Sequence, residues 1–132
     1  MMNTKLLLGL IVLIACVAIF KKMNGGSQGM SNTVSMQEFK NNILNENTYV
    51  LDVRTPAEFD GELGHIDGAT LLPLQELPIR MNELESKKEQ EIYVVCRSGG
   101  RSAQATAMLR AQGYNAINVD GGMLAWNALS NE

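Results

Sequence analysis

Strand-like and helix-like segments alternate along most of this chain, and that alternation constrains its fold more than any other feature. Short apolar segments that favour strands lie at residues 49–53, 69–72, 92–95 and 116–119. Segments that favour helices precede, separate and follow them, at residues 35–44, 55–58, 78–85, 102–112 and 123–129. Residues 92–95 show no polar alternation, which is typical of a strand covered on both faces. The pattern predicts an α/β domain with a mainly parallel sheet.

Two helix starts are marked by capping residues. Ser35 is followed three positions later by Glu38, which is the form of a capping box. Thr55 is an N-cap candidate followed by Pro56 at the first helical position and by Glu58 at the third. These signals predict helices that begin directly after residues 35 and 55.

Charge and cysteine content exclude several classes of protein. The net charge is −3, and all 14 acidic residues lie beyond the lysines of the N-terminal segment. A domain in which acidic side chains outnumber basic ones repels the phosphates of nucleic acid, so nucleic-acid binding is not expected. The two cysteines are Cys16, inside an apolar run, and Cys96. A disulfide framework and a cysteine zinc site are therefore excluded, and Cys96 is expected to be a free thiol.

The N-terminal segment, residues 1–23, is predicted to be a membrane anchor. Residues 6–20 are 15 consecutive positions without a charged or strongly polar side chain, flanked by Lys5, Lys21 and Lys22. A spanning helix needs about 20 apolar residues, and about 17 at the short end. The run is slightly short for a spanning helix, but the flanking lysine side chains can extend to the membrane–water interface. An uncleaved anchor is favoured over a cleavable signal peptide or a lipoprotein signal processed at Cys16.

A linker and a single domain are predicted to follow the anchor. Residues 24–32 are rich in glycine and polar side chains, which is typical of a flexible linker. The domain is expected at residues 33–132. Lys21 and Lys22 outweigh Lys5, which favours a single-pass protein with its domain on the cytoplasmic side, although the periplasmic or extracellular side stays open.

A lone cysteine lies where the predicted strand 92–95 meets the predicted helix 102–112. The connecting loop reads Cys96-Arg97-Ser98-Gly99-Gly100-Arg101. Backbone N–H groups, a helix N-terminus and two guanidinium groups all favour a thiolate over a thiol. The loop therefore predicts a nucleophilic sulfur with an anion site beside it.

Five short motifs, taken together and in this order, resemble the rhodanese domain, the sulfurtransferase module. They are Leu51-Asp52-Val53-Arg54, Pro56-Ala57-Glu58-Phe59, Gly64-His65-Ile66-Asp67-Gly68-Ala69, Cys96-Arg97-Ser98-Gly99-Gly100-Arg101-Ser102, and Asp120-Gly121-Gly122 followed by Trp126. The resemblance covers roughly residues 35–129. It implies a five-stranded, mainly parallel sheet with helices on both faces, and a catalytic Cys96 that becomes a persulfide.

The resemblance also implies roles for the residues around the cysteine. The substrate-binding set is Arg97, Ser98, Gly99, Gly100, Arg101 and Ser102. Arg101 is expected to orient the anionic end of a donor such as thiosulfate, and Arg97 to add positive field at the rim. Asp52 and Arg54 are expected to support the loops, with Arg54 pairing with Glu58. No metal or organic cofactor is implied.

The length of the cysteine loop distinguishes a sulfurtransferase from a cysteine phosphatase. Cysteine phosphatases place an arginine six positions after the cysteine, but here that position is Ser102, and Arg101 comes five positions after. The expected activity is transfer of sulfane sulfur to a thiol, a cyanide-like acceptor or a protein. The alternative is a rhodanese-like sulfur carrier or protein-binding module that does not turn over a small donor. A thiol oxidoreductase is disfavoured because the chain lacks a second usable cysteine.

Overall fold

The computed structural model describes residues 32–132. The predicted anchor, residues 1–23, and nearly all of the predicted linker lie outside the described residues. Within residues 32–132, no helix is both long enough and apolar enough to cross a membrane.

Strands and helices alternate along the described chain. The strands are β1 (Thr33–Val34), β2 (Thr48–Asp52), β3 (Thr70–Leu71), β4 (Glu91–Val95) and β5 (Asn115–Val119). The helices are α1 (Met36–Asn42), α2 (Pro56–Phe59), α3 (Leu77–Arg80), a 3₁₀ helix (Met81–Lys87), α4 (Gly100–Ala111) and α5 (Gly122–Ser130).

The five strands form one parallel sheet in the order β1-β5-β4-β2-β3. The expected five-stranded α/β fold is confirmed. Strand β4 is central, and its last residue Val95 lies opposite Asp52, the last residue of β2. The carboxyl ends of β2 and β4 therefore meet at one edge, which is where sites form in sheets of this kind.

Side chains of the central strands alternate between two apolar clusters, one on each face of the sheet. Ile92 and Val94 pack with Leu109 of α4. Tyr93 and Val95 pack on the other face with Phe39 of α1. Both faces of β4 are thus covered, as its lack of polar alternation predicted.

The predicted helix starts at residues 35 and 55 are confirmed. In each capping box, the Ser or Thr side chain accepts from the N–H of the glutamate at N3, and that glutamate's carboxylate accepts from the N-cap N–H. Helix α4 begins at Gly100, two residues earlier than predicted, because Gly99 has a φ of 112° that turns the chain directly into the helix.

Residues 78–85 were predicted to form one helix, but the structure divides this region into α3 and a 3₁₀ helix. The Tyr114 hydroxyl donates to the Met81 carbonyl at 3.0 Å, at the junction of the two. In an α-helix that carbonyl would accept from the residue four positions later. Strand β1 was expected only from the family resemblance, because its two residues follow the polar, glycine-rich segment 24–32 and belong to no apolar run, whereas β3 lies within the predicted segment 69–72.

Candidate active site

The predicted nucleophile follows the central strand and leads into α4. Cys96 comes directly after β4, and its side chain is 1% exposed. Its Sγ accepts from the Gly99 N–H at 3.1 Å and lies 3.3 Å from the Ser102 Oγ. The loop therefore curls around the sulfur, with donors from both the loop and the first turn of α4.

The surroundings of Cys96 stabilise its anionic form. Burial raises the pKa of the Cys96 thiol, but hydrogen bonds from the Ser102 hydroxyl and from the N–H groups of Ser102, Gly99 and Ser98 outweigh burial and lower that pKa. The sequence of the loop predicted that two arginines would also contribute to this lowering of the pKa. The hydrogen bonds of the loop are the main cause.

The Ser102 hydroxyl has two neighbouring acceptors and one proton. Its Oγ lies 3.1 Å from the Gly99 carbonyl, to which it donates, and 3.3 Å from the Cys96 Sγ. The proton can reach the carbonyl or the sulfur, but not both at once. Ionisation of Cys96 is therefore coupled to rotation of this buried hydroxyl.

Ser102→Ala should move the ionisation of Cys96 to higher pH. The substitution removes the side-chain hydrogen bond that lowers the pKa but keeps every backbone N–H group. The measurement is the rate of alkylation by iodoacetamide as a function of pH. Ser98→Ala is the matched control, because Ser98 stabilises the sulfur through its backbone N–H, which alanine retains. An unchanged midpoint in Ser102→Ala would contradict this assignment.

The N-terminus of α5 holds the other side of the loop. The Met123 N–H donates to the Cys96 carbonyl at 2.8 Å, and the Leu124 N–H donates to the Arg97 carbonyl at 3.1 Å. These carbonyls can approach because Gly122 has no side chain and a φ of +53°. These two bonds were not predicted from the sequence, although the Gly121-Gly122 pair was the available signal.

Arg101 is held by a carboxylate from α2. Its two terminal nitrogens donate to Glu58 Oε1 and Oε2 at 2.6 and 2.7 Å. These bonds to Glu58, with further attraction from the charges of Cys96 and Asp52, raise the pKa of Arg101. The predicted donor-binding role of Arg101 stays a prediction, and its guanidinium is already paired.

Asp52 and Arg54 form a buried ion pair beneath the site. The Asp52 carboxylate is 0% exposed and accepts from the Arg54 Nε and a terminal nitrogen at 2.8–3.1 Å. Arg54 also donates to the backbone carbonyls of Glu58 and Gly64, so the pair braces two loops. The predicted pairing of Arg54 with the Glu58 carboxylate is wrong, because that carboxylate binds Arg101 and Arg54 reaches only the Glu58 main chain.

A cleft of about 470 Å³ opens beside the loop. Its lining residues are Arg54, Ala57, Glu58, Gly61, Glu62, Leu63 and Arg97. Arg97 and Ser98 are exposed, and Gly100 is exposed at the start of α4. Within residues 32–132, the Arg97 side chain forms no ion pair.

His65, in the third of the five motifs, has a bracing position. Its ring stacks on Phe59 with centroids 3.8 Å apart, and its Nδ1 lies 3.0 Å from the Phe59 carbonyl. A larger cleft of about 610 Å³ is lined mainly by residues of α3, the 3₁₀ helix and α4, and no residue of the cysteine loop lines it, whereas Arg97 of that loop lines the smaller cleft.

Comparison with known proteins gives consistent matches for this domain. The family model described as Rhodanese-like domain matches residues 35–129. A sulfurtransferase of Allochromatium vinosum is 44% identical over 82 residues, which are 61% of this chain and 73% of that protein. YrkF of Bacillus subtilis, provisionally described as a sulfur carrier protein, is 37% identical over 77% of this chain and 57% of its own length.

A solved structure shares the fold. The crystal structure of a rhodanese-like domain protein from Staphylococcus aureus aligns with a TM-score of 0.65 and 37% identity. The alignment covers 74% of this chain and 91% of that one. The similarity extends over nearly all of the solved domain.

Proposed function

Because this chain belongs to the rhodanese-like domain family, we propose that it transfers sulfane sulfur from a small donor to a thiophilic acceptor through a persulfide on Cys96. The sulfurtransferase named above, 44% identical, supports this class of reaction. The chain would then act as an enzyme that needs neither a metal nor an organic cofactor.

The observation that carries the proposal is the bonding around the Cys96 sulfur. The Sγ accepts from the Gly99 N–H at 3.1 Å and lies beside the Ser102 hydroxyl. A persulfide anion at this position would extend the sulfur by one atom within a ring of donors. The same donors can stabilise both the resting thiolate and the loaded persulfide.

The reaction has two balanced steps. The Cys96 thiolate attacks the outer sulfur of the donor, a new S–S bond forms, and the donor's own bond to that sulfur breaks. With thiosulfate, the leaving group is sulfite, which departs with the electron pair of that bond. A thiol, cyanide or a protein thiol then attacks the outer sulfur of the persulfide and restores the Cys96 thiolate. Arg97 is exposed at the rim of the cleft, and its positive charge attracts the approaching anion.

Thiosulfate should add the mass of one sulfur atom to the intact protein, and the addition should map to Cys96. Cys16 should remain unmodified, because it lies within the uncharged run 6–20 of the proposed anchor, whereas the Cys96 sulfur has hydrogen-bond donors around it in the described part of the chain. Intact-mass spectrometry followed by peptide mapping makes the measurement, and a thiol reductant should remove the added mass. Sulfur that maps elsewhere would refute the mechanism.

A sulfur carrier is the second candidate, and the similarity to YrkF favours it. A carrier would take up one sulfur on Cys96 and pass it only to a specific protein. Steady-state assays with thiosulfate and cyanide separate the two candidates. Many turnovers per Cys96 support the enzyme, whereas stoichiometric loading without turnover supports the carrier.

We further propose that residues 1–23 attach the domain to a membrane, with the domain on the cytoplasmic side. The 15 uncharged residues at 6–20 and the two lysines that follow support this placement. Deleting residues 1–30 should move the protein from the membrane fraction to the soluble fraction and leave transfer to small acceptors close to that of the full chain. Full-length protein that remains soluble would contradict the anchor.

A further inference from the structure

Arg101 has the position expected of a donor ligand, but two of its five N–H donors, and its charge, are already engaged by Glu58. Both terminal nitrogens are within 2.7 Å of the Glu58 carboxylate, in the bidentate geometry that is the strongest form of this pair. An anion that approaches Cys96 would have to compete with Glu58 for this guanidinium.

Glu58 is itself fixed by the start of α2. Its Oε2 accepts from the Thr55 N–H and from the Thr55 hydroxyl, both at 3.0 Å. Hydrogen bonds from Arg101 and then from Thr55 lower the pKa of Glu58 to about 2, against the effect of burial. The carboxylate therefore stays ionised, and its charge offsets that of Arg101, at every pH at which a thiolate reacts.

The remaining charges around the cleft are equal in number and opposite in sign, although Arg97 has no ion-pair partner within residues 32–132. Arg54 is neutralised by Asp52, and the exposed Arg97 faces the same cleft as Glu62. The cleft wall also includes apolar and small groups, from Ala57, Gly61 and Leu63. A cleft with no excess positive charge and a partly apolar wall suits an organic donor better than a small dianion.

We propose that Glu58 is a specificity-determining residue, which by occupying Arg101 directs the site towards organic persulfides and away from thiosulfate. This rests on the proposed Cys96 persulfide and names the donor class for that same site. Thiosulfate carries two negative charges and needs cationic partners. A thiol persulfide carries at most one charge at its reacting end and needs fewer.

The loading step with such a donor is balanced. The Cys96 thiolate attacks the outer sulfur of R–S–SH, and the S–S bond of the donor breaks. The leaving thiolate RS⁻ takes the electron pair, and Cys96 holds the persulfide Cys96–S–SH. The organic group R would lie along the wall formed by Ala57 and Leu63.

The test compares two donors under single-turnover conditions with the full chain. The probes are thiosulfate and the persulfide of β-mercaptoethanol, and the readout is the second-order rate constant for loading Cys96. The persulfide should be preferred in the unmodified protein. Glu58→Gln keeps a side chain that can complete the capping box, but it removes the charge that pairs with Arg101. The thiosulfate rate constant should therefore rise about tenfold. The persulfide rate constant should rise by less than about twofold.

Three comparisons make the result specific. Glu83→Gln breaks another bidentate pair, between the 3₁₀ helix and Arg80 at the end of α3; this pair lies outside the cleft, so the donor preference should not change. Glu62→Gln removes a charge from the same cleft without releasing a guanidinium, and should give less than half the gain. With Glu58 intact, Arg97→Met should slow thiosulfate more than Arg101→Met does, which tests the proposal even if Glu58→Gln fails to fold.

Each outcome supports or overturns the inference. Faster loading by thiosulfate than by the persulfide in the unmodified protein overturns it, as does an unchanged thiosulfate rate constant in folded Glu58→Gln. Equal gains in Glu58→Gln and Glu62→Gln overturn it too, because released Arg101 would not be the cause. Failure of both donors to load Cys96 would instead refute the proposed function itself.

Discussion

Replacing Cys96 with serine is expected to abolish sulfur transfer and leave the domain folded. A serine hydroxyl is a far weaker nucleophile than a thiolate, and it forms no persulfide. We expect turnover to fall by at least about a thousandfold. Folding should survive because the serine Oγ can accept from the Gly99 N–H that the sulfur now binds. Steady-state transfer to cyanide and a thermal melt make the two measurements.

Cys16→Ser is the control for this experiment. It removes the other thiol of the chain, which lies in the predicted anchor, and should retain full transfer. Persistent turnover in Cys96→Ser would mean that some other group carries the sulfur. Such a result would remove the basis of the proposed mechanism.

Gly122→Ala should have the largest effect on stability among the substitutions considered. A Cβ at this position would lie 2.6 Å from both the carbonyl carbon and oxygen of Arg97, and closer still to the Cys96 carbonyl oxygen. The backbone also has a φ of +53°, which alanine rarely adopts. Clash and backbone strain together should lower the free energy of unfolding by about 3 kcal/mol or more.

Gly113→Ala isolates the backbone contribution. Gly113 has a φ of +86°, but a Cβ there would meet nothing within 4 Å. This variant should lose only about 1 kcal/mol. Urea denaturation of both proteins measures the difference, which reports the clash at Gly122. Equal losses in the two variants would contradict the tight contact between this glycine and the loop.

The sequence predicted the features that depend on neighbouring residues. The capping boxes at Ser35 and Thr55 each operate within four positions, and the buried central strand follows from its continuous apolar side chains. The glycine-containing loop after that strand likewise marks Cys96. Such local signals locate the elements and the nucleophile, and the parallel topology brings them to one edge of the sheet.

Pairings between distant residues could not be predicted in the same way. Glu58 was recognised as a helix-start residue, but the same carboxylate also binds Arg101, 43 positions away. Arg54 was expected to pair with Glu58. It pairs instead with Asp52, which lies two positions before Arg54. Asp52 and Glu58 both lie within four positions of Arg54 in the sequence, and only the packing of the loops selects between them.

The contact between α5 and the cysteine loop has a consequence for biosynthesis. The loop that surrounds Cys96 is completed by N–H groups of Met123 and Leu124, which the ribosome adds more than twenty residues later. A nascent chain that already contains the cysteine therefore lacks part of the support for its reactive loop. We expect the thiol of such a chain to react as an ordinary cysteine until the segment at 122–124 has been synthesised and docked, so that folding itself switches on the nucleophile.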